Sequence, residues 1–161
     1  RHRSSMQYYI LTPPDDSKGT ANNGTVWPPA NTRLRPTQTT TTGRREINAA
    51  ALADLLRQWP GVPAAVERVG ARPGESATSG FSFGFSQGSI LACLAVLGHP
   101  VRLVQPASWK RWAGIPPGAP KDASIGTASR MVPSASPHLT LKKHDGRADA
   151  LLIGLYALRH P

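Results

Sequence analysis

Residues 62–104 read VPAAVERVGARPGESATSGFSFGFSQGSILACLAVLGHPVRLV and hold two short apolar stretches separated by a long apolar run. The first short stretch, VPAAVERV (62–69), is β-branched and apolar, which predicts a buried strand interrupted by Glu67, and the second, VRLV (101–104), predicts another strand. Between them we expect a loop over ARPGESATSG and then FSFGFSQGSILACLAVLGH, which becomes a helix apolar on nearly all sides. Strands that alternate with helices predict an α/β layer fold.

Further periodic segments extend this pattern in both directions. Apolar residues recur at helical spacing in REINAAALADLLRQW (45–59), and Pro60 and Gly61 should end that helix. Further helices are predicted over PASWKRWAG, KDASIGTASRMV and DGRADALLIGLYALRH, and QYYIL (7–11) predicts a short strand. Residues 12–45 are rich in Pro, Thr, Asn and Gly, which favours turns, short edge strands or disorder. We therefore expect one domain over 1–161, with an irregular part at 1–45 and a core at 46–161.

The charge balance of the chain points to an acidic partner. Nineteen Lys and Arg residues face nine Asp and Glu residues, for a formal net charge of +10. Nucleic acid is the most common partner of so basic a protein, although a basic soluble protein without such a partner has the same composition.

The cysteine content and the apolar runs indicate the compartment. Cys93 is the only cysteine, so the chain has no disulfide framework and no Cys-based metal site, which suits a reducing compartment such as the cytoplasm. An organellar matrix is compatible with the same composition. The apolar run ILACLAVLG is much shorter than the roughly 20 residues that cross a bilayer, so no membrane partner is expected.

Two carboxylates lie at the start of the last predicted helix. Asp145 and Asp149 are four residues apart, so they share one helix face, with Cβ atoms roughly 5–6 Å apart. Each also has a local explanation, because Asp145 before Gly146 suits an N-cap and Asp149 in the first turn suits the helix dipole.

Glu67 favours the functional interpretation. A glutamate inside AAVERV has no capping role, so it must be exposed at the strand end, paired with a cation or bound to a metal. The carboxyl ends of strands line the functional crevice of open α/β sheets. A strand-end Glu67 facing Asp145 and Asp149 would form a hard-oxygen site suited to Mg²⁺ or Mn²⁺. In a basic chain, such a site favours hydrolysis of phosphodiesters.

Five stretches between about Gly43 and His160 form a pattern: GRREINAAALADLL, VERVGARPGESATSGFSFGFSQG, LVQPASWKRWAG, KDAS and KKHDGRADALLIGLYALR. In their order and spacing they resemble RuvC-type Holliday junction resolvases, particularly the phage and prophage branch. The resemblance implies a ribonuclease H-like fold, a mixed sheet flanked by helices, which is usually dimeric. It also implies symmetrical cutting of four-way DNA junctions with a divalent metal, as a crossover junction endodeoxyribonuclease does in recombination, repair or phage DNA processing.

By the same resemblance, Glu67 is the strand glutamate of the site, and Asp145 and Asp149 are the helical acidic pair. His144 is a catalytic neighbour that would orient water or a metal ligand; alternatively it is a surface residue. Lys110 and Lys121 match basic positions near the scissile phosphate, and Lys121 is assigned to catalysis as well as to DNA binding.

The remaining candidates contact DNA outside the acidic site. Phe81, Phe83 and Phe85 fall where the family has an aromatic that wedges into the junction, although one or two of them could instead be core residues. The other proposed DNA contacts, a basic rim that touches phosphates without specificity, are Arg111, Lys142 and Lys143. Trp109 and Trp112 are expected to be core residues.

The N-terminus departs from the family pattern. The family's first strand ends in an aspartate that bridges two metals, and alignment of MQYYILTPP places Thr12 there. Asp15 or Asp16 could substitute as a metal ligand if the strand end is remodelled. The alternatives are a damaged reading frame and a catalytically inactive protein that binds or organises nucleic acid.

The apolar helix also suggests how the chain assembles. Ile90, Leu91, Leu94 and Leu97 form one side, and small apolar residues fill most of the rest. A homodimer through this helix would bury the second side, and a covering N-terminal segment is the alternative.

Overall fold

Two parallel strands form part of a sheet in the computed structural model, which describes residues 8–10, 37–39, 45–68, 70 and 74–161. The strands are β1 (Tyr8–Ile10), β2 (Thr37–Thr39), β3 (Arg45–Ile47), β4 (Ala64–Glu67) and β5 (Val101–Val104). The helices are α1 (Ala49–Leu56), α2 (Ala77–Val96), α3 (Pro106–Trp112), α4 (Ala123–Met131) and α5 (Asp145–Arg159). Two 3₁₀ segments, Pro133–His138 and Lys142–His144, lie between α4 and α5.

Strands β4 and β5 share a three-stranded sheet with β1, in the order β1-β4-β5. They run parallel, because the amide of Ala64 donates to the Pro100 carbonyl and the amide of Arg68 donates to the Val104 carbonyl, both at 2.8 Å. Parallel neighbours need a crossover connection, and α2 lies in the connecting segment. This architecture confirms the predicted α/β class.

A second, two-stranded sheet corrects the predicted start of the first helix. Strand β3 pairs antiparallel with β2, with Thr37 opposite Ile47 and Thr39 opposite Arg45. Helix α1 therefore begins at Ala49, where the side chain of Asn48 accepts a hydrogen bond from the Ala51 amide at 3.1 Å. Asn48 is a strong N-cap, and the chain before it is extended rather than helical.

Helix α2 begins earlier than the sequence predicted. The Ser76 hydroxyl caps it by accepting a hydrogen bond from the Ser79 amide at 3.2 Å, so residues 77–80 are helical rather than part of a loop. The glycine-rich segment thereby becomes the first half of a 20-residue helix. By length and composition alone α2 could cross a bilayer, a property that core helices of soluble proteins can share.

The chain divides into two compact units. Of the described residues, the first unit contains 8–9, 65–68 and 102–161, and the second contains 10, 37–39, 45–64, 70 and 74–101. The expectation of a single domain stays a prediction.

Helices α4 and α5 pack together in the first unit. Small residues on both helices, Ala128 and Ala148, are fully buried, which allows the two backbones to approach closely. The core there consists of Ala65, Val104, Trp109, Ala128, Ala135, Leu139, Ala148, Leu151, Leu152 and Ile153.

In the second unit, α1 packs against α2. Their buried residues are Leu52, Leu56, Ile90 and Leu94, and the half-buried Cys93 thiol lies 3.6 Å from the Ala49 carbonyl. His99 is buried after α2, with its Nδ1 2.9 Å from the Val62 carbonyl. That carbonyl can only accept, so Nδ1 carries the proton.

Candidate active site

Glu67 is the last residue of β4, at the carboxyl end of a parallel strand, and its side chain is half-buried. The indole N–H of Trp109, on α3, donates a hydrogen bond to Glu67 Oε1 at 2.9 Å. Residue 67 therefore lies at the kind of sheet edge where α/β proteins place their functional groups, and a buried aromatic residue holds one of its oxygens.

Asp149 lies on α5 and is half-buried. Burial is the main cause that raises the pKa of its carboxyl from 3.8 to about 6, and the negative charges of Glu67 and Asp145 raise it further. A hydrogen bond from Ser124 and the charge of Lys110 act in the opposite direction on this pKa. A strand and the start of a helix thus bring the carboxylates of Glu67 and Asp145 close enough to Asp149 to repel it.

Such a cluster has the donor chemistry of a hard-cation site. Carboxylate oxygens are the ligands that Mg²⁺ and Mn²⁺ prefer, and a bound cation would relieve the repulsion around Asp149. Within the part of the chain that the structure describes, however, no three His, Cys, Asp or Glu side chains converge closely enough to hold a metal ion. The oxygen donors fit a divalent cation in kind, but the described residues do not form a completed three-ligand site.

His144 is the last residue of the 3₁₀ segment Lys142–His144 and immediately precedes α5, to which its side chain makes no capping hydrogen bond. The amide of Leu141 donates to His144 Nδ1 at 3.3 Å, which leaves Nε2 to carry the proton of the neutral ring. Partial burial, followed by the charges of Arg147 and Lys143, lowers the pKa of the imidazole below 6.5. These contacts give His144 a local structural role, and its catalytic role stays a prediction.

The basic candidates lie at the surface of the same unit. Lys110 is exposed on α3, with Nζ 5.4 Å from the Trp109 ring centre, and its charge reaches Asp149. Lys142 Nζ is 3.9 Å from Asp122 Oδ2. The other exposed basic candidates are Arg111 at the end of α3, Lys121 shortly before α4, and Lys143 in the turn before α5. Of these candidates, Lys110 is the one whose charge lowers the pKa of Asp149.

The aromatic candidates lie in the second unit, on α2. Phe81 and Phe85 are 76% and 51% exposed, and their rings stack with centres 6.4 Å apart, whereas Phe83 is half-buried. The first two are thus available as surface aromatics. In the first unit, Trp109 is fully buried, which confirms it as a core residue, and Trp112 is half-buried.

Thr12, Asp15 and Asp16 lie outside the described residues. Two predictions therefore stay predictions: that Thr12 takes the place of the family's first-strand aspartate, and that Asp15 or Asp16 substitutes for it as a metal ligand.

Two further residues at the cluster did not emerge as site residues from the sequence. Ser124, on α4, is buried, interacts with the Asp149 carboxyl, and has its hydroxyl 3.5 Å from the Asp145 carbonyl. Trp109 was expected only as core, yet its N–H contacts Glu67. In the sequence, Ser124 is visible only as the serine of KDAS and Trp109 only as the tryptophan beside Lys110. Neither pattern indicates which carboxylate the side chain contacts, because that depends on the fold.

A comparison with models of protein families finds no match. Among known proteins, the chain is similar to the Holliday junction resolvase MOC1, chloroplastic, of Chlamydomonas reinhardtii, with 35% identity over 122 residues. The match covers 72% of this chain and 14% of that relative, so the chain spans only a small part of the relative's length. The similarity is thus to a junction resolvase, and it gives no support to the phage branch in particular.

Proposed function

We propose that the chain is a metal-dependent endonuclease that cuts four-way DNA junctions, built on a ribonuclease H-like core. The similarity to a protein named a Holliday junction resolvase supports the substrate class. The observation that carries the proposal is that the negative charges of Glu67 and Asp145 both raise the pKa of Asp149. Nine acidic residues are few in a chain of net charge +10, and two of them act on the carboxyl of a third.

In this proposal, Glu67, Asp145 and Asp149 hold Mg²⁺ or Mn²⁺ together with ligands from the DNA and from the rest of the chain. When bound, divalent cations activate water and stabilise the leaving oxygen in phosphodiester hydrolysis. Lys110, whose charge already reaches Asp149, contacts the scissile phosphate together with Lys121. The exposed side chains of Arg111, Lys142 and Lys143 bind neighbouring phosphates without reading the sequence.

A binding protein without cleavage is the second candidate. The observation that favours it is that the described residues form no three-ligand group. The resemblance to the family, which aligns Thr12 with the aspartate of the first strand, agrees with this candidate. Such a protein would recognise the junction by its charge and shape alone.

Cleavage of a synthetic four-way junction in Mg²⁺ or Mn²⁺ separates the two candidates. The nuclease proposal expects symmetrical nicks from the wild type and none from Glu67→Gln, with both proteins binding the junction. Asp54→Asn is the matched control, since Asp54 is an exposed acid paired with Arg57 on α1, and it should cut normally. If the wild type binds the junction but does not cut it, the chain is a junction-binding protein without nuclease activity.

We further propose a homodimer through α2. Gly84, Gly88 and Ala92 are exposed along this helix, and we call them the small-residue stripe. Phe81, Phe85 and Val96 flank the stripe and are exposed as well. An apolar face with small residues lets two helices approach closely, and a two-fold pair would present two equal sites to a symmetrical junction. A covering N-terminal segment remains the alternative occupant.

The similar resolvase of Chlamydomonas reinhardtii is named as chloroplastic. We therefore propose an organellar matrix as the compartment instead of the cytoplasm expected from the cysteine content. Fractionation of the source cells, with antibody detection of the protein, tests this proposal.

A further inference from the structure

Trp109 is fully buried, yet its polar atom points at a charged group. A buried indole N–H requires an acceptor, and a backbone carbonyl would satisfy it. Here the acceptor is Oε1 of Glu67, at 2.9 Å. A hydrogen bond to an ionised carboxylate is roughly twice as strong as one between neutral groups.

The donor is held rigidly. Trp109 belongs to the core cluster that includes Ala65 on β4 and Leu152 on α5, so its ring cannot turn without disturbing the packing. Glu67 follows two residues after Ala65 on the same strand. The indole therefore fixes the Glu67 carboxylate relative to β4, on which Glu67 lies, and to α3, which also carries Lys110.

The hydrogen bond from Trp109 engages one oxygen of a group that can accept several. Two carboxylate oxygens offer about four lone-pair sites, so an indole N–H can orient the group while other partners also bind it. A neutral donor also adds no positive charge that would compete with a cation for Glu67.

We propose that Trp109 is a positioning residue, whose indole N–H holds the Glu67 carboxylate in the orientation in which it joins Asp149 in binding a divalent cation. The inference rests on the proposed function, because it assigns Trp109 to the same acidic site. It goes further in naming a neutral residue that acts through Glu67 and never touches DNA or metal.

Trp112 provides a matched control on the same helix. It is half-buried and packs edge-on against Tyr156, with ring centres 5.9 Å apart, while the Arg159 guanidinium lies 5.7 Å from its ring centre. Changing either tryptophan to phenylalanine removes one indole nitrogen and similar ring area, but only Trp109→Phe removes the donor to Glu67.

The test combines Mg²⁺ titration, followed by calorimetry, with NMR of the indole N–H groups of ¹⁵N-labelled protein. The chain has four tryptophans, and the signal lost in Trp109→Phe identifies that of Trp109. We expect Mg²⁺ alone to shift this signal in the wild type and to leave it in place in Glu67→Gln. Trp109→Phe should bind Mg²⁺ about 10–100-fold more weakly, as loss of a group that orients a metal ligand commonly does, and Trp112→Phe should stay within about two-fold of the wild type.

Equal Mg²⁺ affinity of Trp109→Phe and the wild type would overturn the inference and leave the proposed function standing. If Trp109→Phe does not fold, the wild-type titration decides, and an unmoved Trp109 signal at saturating Mg²⁺ overturns the inference. If the wild type binds no Mg²⁺ and cuts no junction, the proposed function is wrong, and the inference about Trp109, which rests on it, is wrong as well.

Discussion

Glu67 and Asp149, far apart in the sequence, lie close enough for the charge of Glu67 to raise the pKa of Asp149. One residue ends β4 and the other lies in α5. Folding therefore brings together two groups that repel each other, and burial of Asp149 adds to the cost of its charge. Arrangements that oppose stability in this way are typical of functional sites.

The first prediction concerns stability and pH in metal-free protein. The folded pKa of Asp149, about 6, lies above its unfolded value of 3.8, so the folded state binds the proton more tightly. Its contribution to stability is therefore fully present below about pH 4 and is lost as the pH rises through about 6. We expect Asp149→Asn to increase the free energy of unfolding by about 1–3 kcal/mol at about pH 7.5 and to change it little at about pH 4.

Urea denaturation in a chelator at both pH values measures this difference. Asp54→Asn serves as the control, since Asp54 is exposed and paired with Arg57, and it should produce no comparable pH-dependent gain. An Asp149→Asn protein that is less stable than the wild type at about pH 7.5 would contradict the assigned environment of Asp149.

A second prediction follows from Ser124. Its hydrogen bond lowers the pKa of Asp149 against the effect of burial, so Ser124→Ala should raise that pKa above 6. Titration of the Asp149 carboxyl carbon by NMR, in metal-free protein, measures the change. Ser129→Ala is a suitable control, because Ser129 lies on the same helix and is only half-buried. A pKa that falls in Ser124→Ala would show that the hydroxyl does not stabilise the carboxylate.

A third prediction concerns the basic rim. Lys142 is paired with Asp122 only at 3.9 Å and is exposed, so the double substitution of Lys142 and Lys143 by alanine should alter stability by less than about 1 kcal/mol. Junction affinity should fall, and the slope of log affinity against log salt should shrink by about 2 units, since two phosphate contacts are lost. Fluorescence anisotropy over a salt series measures the slope. An unchanged slope, as expected for Arg57→Ala, would exclude both lysines from the interface.

Local patterns were sufficient to predict most of the elements. The apolar stretches that form β4 and β5 and the segments that form α3, α4 and α5 could be predicted locally, because neighbouring residues in the sequence carry the apolar pattern of each element. The start of α1 was wrong because Arg45–Ile47 pairs with β2, and such pairing depends on residues elsewhere in the chain. The start of α2 was wrong because glycines hid a helix that the Ser76 cap begins.

The acidic cluster was predictable for a related reason. A glutamate at a strand end and an acidic pair at a helix start are visible in the sequence, and the topology of α/β folds places such ends near each other. The donors that orient them were not predictable. Trp109 and Ser124 are ordinary core residues by composition, and only the packing of α3 and α4 shows that their polar atoms reach the carboxylates.

The last prediction tests the dimer through the small-residue stripe of α2. Leu94 is buried within the chain, so a substitution there would disturb the fold itself, whereas a Cβ added at Gly88 meets no atom of the described residues within 4 Å. In a monomer, Gly88→Ala should therefore stabilise the helix by up to about 1 kcal/mol. In the proposed dimer the added methyl separates the two helices, so sedimentation velocity should show dissociation at concentrations where the wild type is dimeric. Gly126→Ala on α4, where the nearest atom is Arg130 Nη1 at 3.9 Å, is the control and should leave the dimer intact. A wild type that sediments as a monomer, with Gly88→Ala merely more stable, would rule out this interface.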